Sequence, residues 1–312
     1  MDLRQLESFV RVAELGSFSR ASAIMDIPQP SLSRHVAQLE QELRNHLFVR
    51  TGRGVEPNEA GKRLLTYAQA MLELERQAHA EMDAIRGQLT GRVTIGLPPR
   101  VAQVLTPVLV KQFRQRFPLA SISISEGLST ALREDLILGR LELALLFDPP
   151  PSPRLECRSL FQEELVLCGQ PTRQHPLPER LAVADLAAYP AMVPSRPNAI
   201  RMLIDTACRS RGVELDVVAE VDSVKSLLQL AADGQGYAIV PESAARTVTL
   251  PTWGISSIDR PVIRNDMVLA YSRQRLLSRL GQATFDLVID QDVGALLAAG
   301  EARRQEVVSA IR

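Results

Sequence analysis

Residues 27–36 read IPQPSLSRHV, and this stretch decides how the rest of the chain is read. Ile27-Pro28 breaks one helical pattern. Pro30 then stands at the opening of the next helix, a place that tolerates its missing N–H. From there Leu32, Val36, Leu39 and Leu43 recur at intervals of four, three and four, the buried stripe of an amphipathic helix. The other side carries Ser31, Ser33, Arg34, His35 and Gln38. A helix that reads DNA lays its N-terminal polar face in the major groove, where each base pair shows its own pattern of donors and acceptors. On such a face Gln29 suits adenine or a phosphate, and Pro30 opens the helix. Ser31 and Ser33 suit phosphates, Arg34 can fork onto guanine, and Gln38 extends the polar surface. The first-turn N–H groups are expected to add phosphate contacts. The pattern also fits an amphipathic helix whose polar face simply meets water.

The flanks favour the DNA reading. Upstream, Leu3, Leu6, Phe9, Val10 and Ala13 keep helical spacing until Gly16. Ser17 and Ser19 are both candidate N-caps for a short helix carrying Ala21 and Ile24. Downstream, FVRTGRGVE (48–56) places two glycines between short β-forming runs, the pattern of a hairpin with a tight tip. Arg50, Thr51 and Arg53 lie on or beside that tip, where they can hold the backbone or enter the minor groove. The whole chain balances 36 basic against 36 acidic residues, so bulk charge does not advertise nucleic acid. The local excess does: between Pro30 and Val55 stand Arg34, Arg44, Arg50 and Arg53 against Glu40 and Glu42.

From Asn58 to about Arg86 the chain is helical, with no internal proline. Leu64, Met71, Ala78 and Ile85 fall seven apart. Ala68, Glu75, Met82 and Leu89 form a second register four residues later. Together they predict the a/d seam of a coiled coil, and hence a dimer through this helix. A hinge is expected over Gly87–Gly91. Beyond it strands and helices alternate: RVTIGL (92–97), a helix over 103–117, SISIS (121–125), a helix over 129–138 and LELALLF (141–147). ELVLCG (164–169) follows, then Met192-Val193, a helix over 198–211, LDVVAEV (215–221), a helix over 223–232 and YAIVP (237–241). A strand over 262–271 and a helix over 276–291 complete the pattern. Alternation of this kind implies parallel βαβ units. The organisation is an α/β multidomain chain. A helix-turn-helix with its wing takes 1–58 and a linker helix 59–89. A regulatory domain takes 90–312, with one lobe near 90–161 and 266–300 and the other near 162–265. The stretch 300–312 has the makings of an extra amphipathic helix.

The phrases GSFSRAS, QPSLSRHVAQLEQEL, LFVRTGRGV and NEAG, in that order, resemble the N-terminal signature of LysR-type transcriptional regulators. The likeness continues through GRVTIGL, LELALLF and DGQGYAIVPESAAR. The last phrase and LFDPPPSP are similar to the nitrogen assimilation control branch. Pro28 departs from the family, which usually carries Ser or Ala before QP. The resemblance implies a winged helix-turn-helix, a linker-helix dimer and a periplasmic-binding-protein-like domain of two α/β subdomains. It also implies homotetramers on partly palindromic double-stranded DNA near promoters, where RNA polymerase is the expected further partner.

In this fold class ligands sit beyond the carboxyl ends of the strands. That points to Pro99 and Arg100 after the first strand, Ser129 and Thr130 at a helix start, and Phe147 and Asp148 after LELALLF. In the second lobe it points to Ser195, Asn198 and Arg201. The resemblance adds that relatives sensing aromatic acids bind through positions matching Arg100, Ser129, Asp148 and Asn198. Arg100 would pair an effector carboxylate, or else Asp148 across the cleft mouth. No metal or other cofactor is expected beyond such a co-inducer.

Competing classes fare worse. Cys157, Cys168 and Cys208 are too scattered for a disulfide framework or a zinc site, and they suit small apolar fillers. The family's peroxide sensors carry a reactive cysteine nine residues before a second. Cys208 matches the second, but Ala199 occupies the first. Of four histidines, His35 and His46 lie in the DNA module, His79 in the linker and His175 in a proline-flanked loop. None accompanies a nucleophile motif, so an enzyme is not expected. A transport receptor would need an export signal; none is read, nor a membrane span, so a cytoplasmic location is expected.

Overall fold

The computed structural model describes residues 1–52, 54–85 and 89–299. Arg53, the Gly87 side of the expected hinge and the 300–312 tail lie outside the described residues. The chain forms two units. One is Met1–Arg92 with Ile137–Arg140; the other is Val93–Leu136 with the segment from Leu141 onward.

The first unit is built on α1 (Leu3–Leu15), α2 (Phe18–Met25), α3 (Gln29–Leu43), the hairpin β1 (Phe48–Thr51) and β2 (Gly54–Pro57), and α4 (Glu59–Ile85). Local chemistry sets each boundary. Asp2 and Gln5 close a capping box on α1, and Gly16 ends it in the left-handed region. Ser17 caps α2, accepting from the Arg20 N–H at 3.3 Å. Ser19 does not cap; its hydroxyl donates to Gln29 Oε1 at 3.2 Å. Asp26 ends α2, again left-handed, and Pro28 occupies the cap of α3 with no side-chain bond to give.

Leu6, Phe9, Val10, Val36, Leu39, Leu47 and Ala68 form one buried cluster, and Val12, Ala21 and Leu32 a second. Each large apolar side chain buried there is worth about 1.5–3 kcal/mol against leaving it in water. Phe48 joins the clusters, its ring 5.3 Å from Phe9 and 5.9 Å from Phe18. The wing is tied to the α1–α2 turn by the Val55 N–H donating to the Gly16 carbonyl at 3.0 Å. A Cβ on Gly54 would stand 2.3 Å from that same carbonyl oxygen, so only glycine allows the approach.

The expected coiled-coil seam is partly overturned. Leu64 and Ala68 turn inward, onto the unit's own core. Among the described side chains of α4, the apolar ones left outward are Tyr67, Met71, Leu74, Ala78 and Met82, at intervals of four, three, four and four; the expected seam residue Ile85 lies outside the described side chains. The stripe is real, but Tyr67 and Leu74 replace Leu64 and Glu75 in it. The reason is competition: the first turns of α4 must also close the core behind α1 and α3.

The second unit holds β3 (Gly91–Leu97), α5 (Pro99–Arg116), β4 (Ala120–Glu126), α6 (Ser129–Leu138), β5 (Leu143–Phe147), β6 (Leu155–Gly169), β7 (Arg180–Ala182), β8 (Ala191–Val193), α7 (Ala199–Arg209), β9 (Val217–Glu220), α8 (Val224–Ala232), β10 (Tyr237–Pro241), α9 (Glu242–Ala245), β11 (Gly254–Asp259), β12 (Arg264–Ser272) and α10 (Arg279–Ile289). Strands run in the order β4-β3-β5-β12-β6-β10-β8-β9, with β11 also against β6 and β7 beside β11. β6 is the seam. Its first part, Leu155–Glu164, pairs antiparallel with β12; its last residues, Leu165–Gly169, pair with β10 and β11. One strand therefore belongs to both halves of the domain. On either side lie parallel pairs, β3 with β5 on one and β10 with β8 and β8 with β9 on the other. β6 begins at Leu155, nine residues before the expected strand ELVLCG (164–169). CRSLFQ lacks clean alternation because the register slips there, at a bulge opposite Met267 and Val268.

Candidate nucleic-acid interface and sensor cleft

Leu32, Val36 and Leu39 are buried under α3, which leaves the opposite face outward. Gln29, Pro30, Ser33, Arg34 and Gln38 are exposed and Ser31 is half-buried, all on that face or its first turn. His35 leaves the set, because its Nδ1 lies 2.9 Å from the buried Ser8 hydroxyl and joins α3 to α1. The first turn offers fewer free donors than expected. Pro30 has no N–H, and those of Ser31 and Leu32 both donate to the Pro28 carbonyl, at 2.9 and 3.1 Å. The polar groups this turn presents outward are therefore mainly side chains. Arg50 and Thr51 are exposed on the wing.

The charges of this unit are sorted by partner. Glu40 accepts from the Leu47 N–H at 2.7 Å and faces His46 at 3.5 Å. Glu42 pairs with the N-terminal ammonium. Arg34, Arg44 and Arg50 are exposed and have no carboxylate partner among the described residues. Glu40 and Glu42 are thus occupied inside the unit while these three guanidinium groups face water, which leaves the polar face of α3 locally cationic; the wing carries exposed Glu56 as well as Arg50.

In the second unit most of the expected cleft residues come with partners of their own. Ser129 Oγ accepts from the Phe147 N–H at 2.9 Å, so it fixes the end of β5. Thr130 is exposed beside it. Asn198 caps α7, accepting from the Ile200 N–H at 3.0 Å. The Ser195 N–H donates to Asp222 at 3.1 Å. Arg201 is buried and held by Asp205 at 2.9 Å, Glu220 at 2.6 Å and the Pro194 carbonyl at 3.1 Å.

Arg100, next to exposed Pro99 in the first turn of α5, does not pair with Asp148. Its guanidinium meets Glu163 of β6, Nη1 to Oε1 at 2.7 Å and Nη2 to Oε2 at 3.4 Å, and also the Ser243 hydroxyl of α9. Glu163 and Ser243 are absent from the sequence expectation. Ser243 lies just past the carboxyl end of the strand YAIVP, so the strand-end rule could have found it. Nothing local marks Glu163.

Asp148 is the odd carboxylate. It adopts φ 42°, its Oδ1 accepts from the Asp266 N–H at 3.2 Å, and its buried Oδ2 has no partner. Burial, with the neighbouring Asp266 charge adding to it, pushes its pKa up to about 6, against the pull of that one hydrogen bond. Asn265, opposite Glu163 in the β6–β12 register, is fully buried with both amide atoms unpaired. A cleft of about 450 Å³ opens beside Glu163 and Ser243, lined also by Gln162, Glu164, Arg246 and Arg264. Burial raises the pKa of the Cys168 and Cys208 thiols, which suits fillers; Cys157 is exposed and does not serve as one.

Residues 3–62 match the bacterial regulatory helix-turn-helix protein, lysR family, and residues 86–292 match the LysR substrate binding domain. The chain belongs to the LysR family of transcriptional regulators. It is similar to the nitrogen assimilation regulatory protein nac of Escherichia coli, 34% identical over 93% of this chain and 94% of that one. It is also similar to the regulator BbuR of Bordetella bronchiseptica, 34% identical over 78% and 74%. Its fold is that of solved full-length relatives. A full-length OxyR variant from Pseudomonas aeruginosa superposes with a TM-score of 0.71 at 22% identity, covering 94% of each chain. CbnR complexed with its target DNA gives 0.66 at 22%, covering 93% of this chain and 99% of that one. The LysR chain is thus a transcriptional regulator and not an enzyme, with a DNA-binding helix-turn-helix and a domain of the effector-binding type. Among the described residues no helix is long and apolar enough to cross a membrane.

Two measurements test the geometry. Arg34→Ala should cost about 1–3 kcal/mol of DNA affinity and relax base preference at one position of the site; unchanged affinity with an unchanged footprint rejects a reading role for Arg34. Asp148 holds its proton more tightly folded than unfolded, so ionising it costs stability as pH rises from about 4 through about 6. Asp148→Asn, which keeps the acceptor oxygen, should gain in Tm over the parent across that window and then level off. A gap that does not change with pH refutes the assignment.

Proposed function

We propose that this LysR-family regulator binds a partly palindromic promoter site as a dimer of dimers, in the cytoplasm, and is modulated by a small molecule in its second unit. The observation that carries this is the sorting of the α3 face. Gln29, Ser33, Arg34 and Gln38 stand outward together while Glu40 and Glu42 of the same helix are occupied within the unit. A face that is cationic and rich in hydrogen-bonding groups on a rigidly packed helix fits the major groove. Ser31, Pro30, Arg50 and Thr51 would seat the backbone beside it.

The outward stripe Tyr67, Met71, Leu74, Ala78 and Met82 of α4 supports pairing with a second copy of the chain. Its spacing is that of a coiled-coil seam, and a two-fold pair would set two recognition helices on successive half-sites. Pairs of such dimers would span a longer site and bend it. RNA polymerase is the natural recipient of the signal at a promoter. The effector is a small molecule carrying a carboxylate for Arg100, and no metal or other cofactor is needed.

A labelled fragment of the DNA upstream of the regulated gene should bind tightly at low salt and several orders of magnitude more weakly a few-fold higher, as phosphate contacts demand. Binding indifferent to salt would count against the reading. Met71→Glu should give monomers in sedimentation; an intact dimer would remove the stripe from the interface.

A further inference from the structure

The interaction between Arg100, Glu163 and Ser243 ties three elements of the second unit. Arg100 comes from α5 in the half that contains β3 and β5. Glu163 comes from the strand shared by both halves. Ser243 comes from α9, after β10 in the other half. The carboxylate of Glu163 lies fork-to-fork on the guanidinium, at 2.7 and 3.4 Å, and accepts from the Ser243 hydroxyl at 2.5 Å. This is the full set of donors that an effector carboxylate would claim at Arg100. The side chains are only 12% and 9% exposed, so the pair is already withdrawn from water.

Among the described residues that line the adjoining cleft, both cations already face carboxylates. Arg246 is bound to Glu242 at 2.9 Å, and Arg264 faces Glu164 at 3.8 Å. An incoming carboxylate would have to displace one that is tethered in place and so present at high effective concentration.

We propose that Glu163 is the internal occupant of the sensor's anion slot: it holds Arg100 against simple carboxylates such as acetate, yields it only to an effector whose further contacts displace it, and clamps the two halves of the domain together without a ligand. The proposal rests on the effector reading above and names the residue that decides which ligands the site accepts.

Full-length protein is melted in sodium acetate and, at matched ionic strength, in sodium chloride. The parent chain should show no acetate-specific shift. Glu163→Ala should melt several degrees lower, and acetate, fitting the vacated slot, should restore much of the loss with saturation. Arg100→Ala combined with Glu163→Ala should melt low with no restoration. If Glu163→Ala does not fold, Glu163→Gln decides. Its amide leaves the guanidinium uncompensated, so it should melt below the parent and gain from acetate; parent-like melting without an acetate response overturns the proposal. A saturable acetate shift in the parent that needs Arg100 overturns it too, while leaving the effector reading standing. A folded Glu163→Ala indifferent to acetate overturns both, because Arg100 would then be no anion slot.

Discussion

The outer face of α3 depends on three side chains of its inner face. Leu32, Val36 and Leu39 are buried against α1, α2 and the first turns of α4. A helix held this way cannot roll without exposing them, at about 1.5–3 kcal/mol each. The polar residues opposite are therefore presented at a fixed angle. The wing is held to the same frame by Phe48 and by the Val55–Gly16 hydrogen bond. Rigid backing of this kind is what the proposed docking of short side chains such as Ser33 and Gln29 in a groove requires.

Charge is arranged by the same economy of partners. The chain is neutral as a whole, yet its DNA module presents a cationic surface because Glu40 and Glu42 are turned to an amide, an imidazole and an ammonium group. The sensor domain runs the other way. Arg201 and Arg100, both drawn into the interior, are each matched by carboxylates of their own chain. A buried guanidinium without such a partner would cost several kcal/mol. In the first unit Arg34, Arg44 and Arg50 stay exposed without a carboxylate partner among the described residues, while Arg100 and Arg201 of the second unit tie its elements together.

β6 supplies the frame for that commitment. Because one strand pairs with β12 along its first part and with β10 and β11 along its last, the two halves of the sheet share a backbone. Glu163 sits where the pairing changes over, next to the start of β12. Any change in the relation of the two halves acts first on the groups gathered there: Glu163, Asn265 and the Arg100 fork.

Much of this was legible in the residues alone. The helix-turn-helix, the hairpin wing, the long helix and the alternation of strands and helices follow from period, caps and breakers, which are properties of a few neighbouring residues. The α3 face was equally legible, since one buried stripe determines the side opposite. What required the fold were the partners. Leu64 and Ala68 obey heptad spacing, yet they face inward because the core behind α1 needed filling. Arg100 could be marked as an anion ligand, but that the anion is Glu163, 63 residues away, follows from a crossing strand whose register slips at a bulge. Local sequence determines periodicity and termination. Which distant charge meets which is decided by topology, because burying a guanidinium demands a compensating carboxylate wherever the chain can bring one.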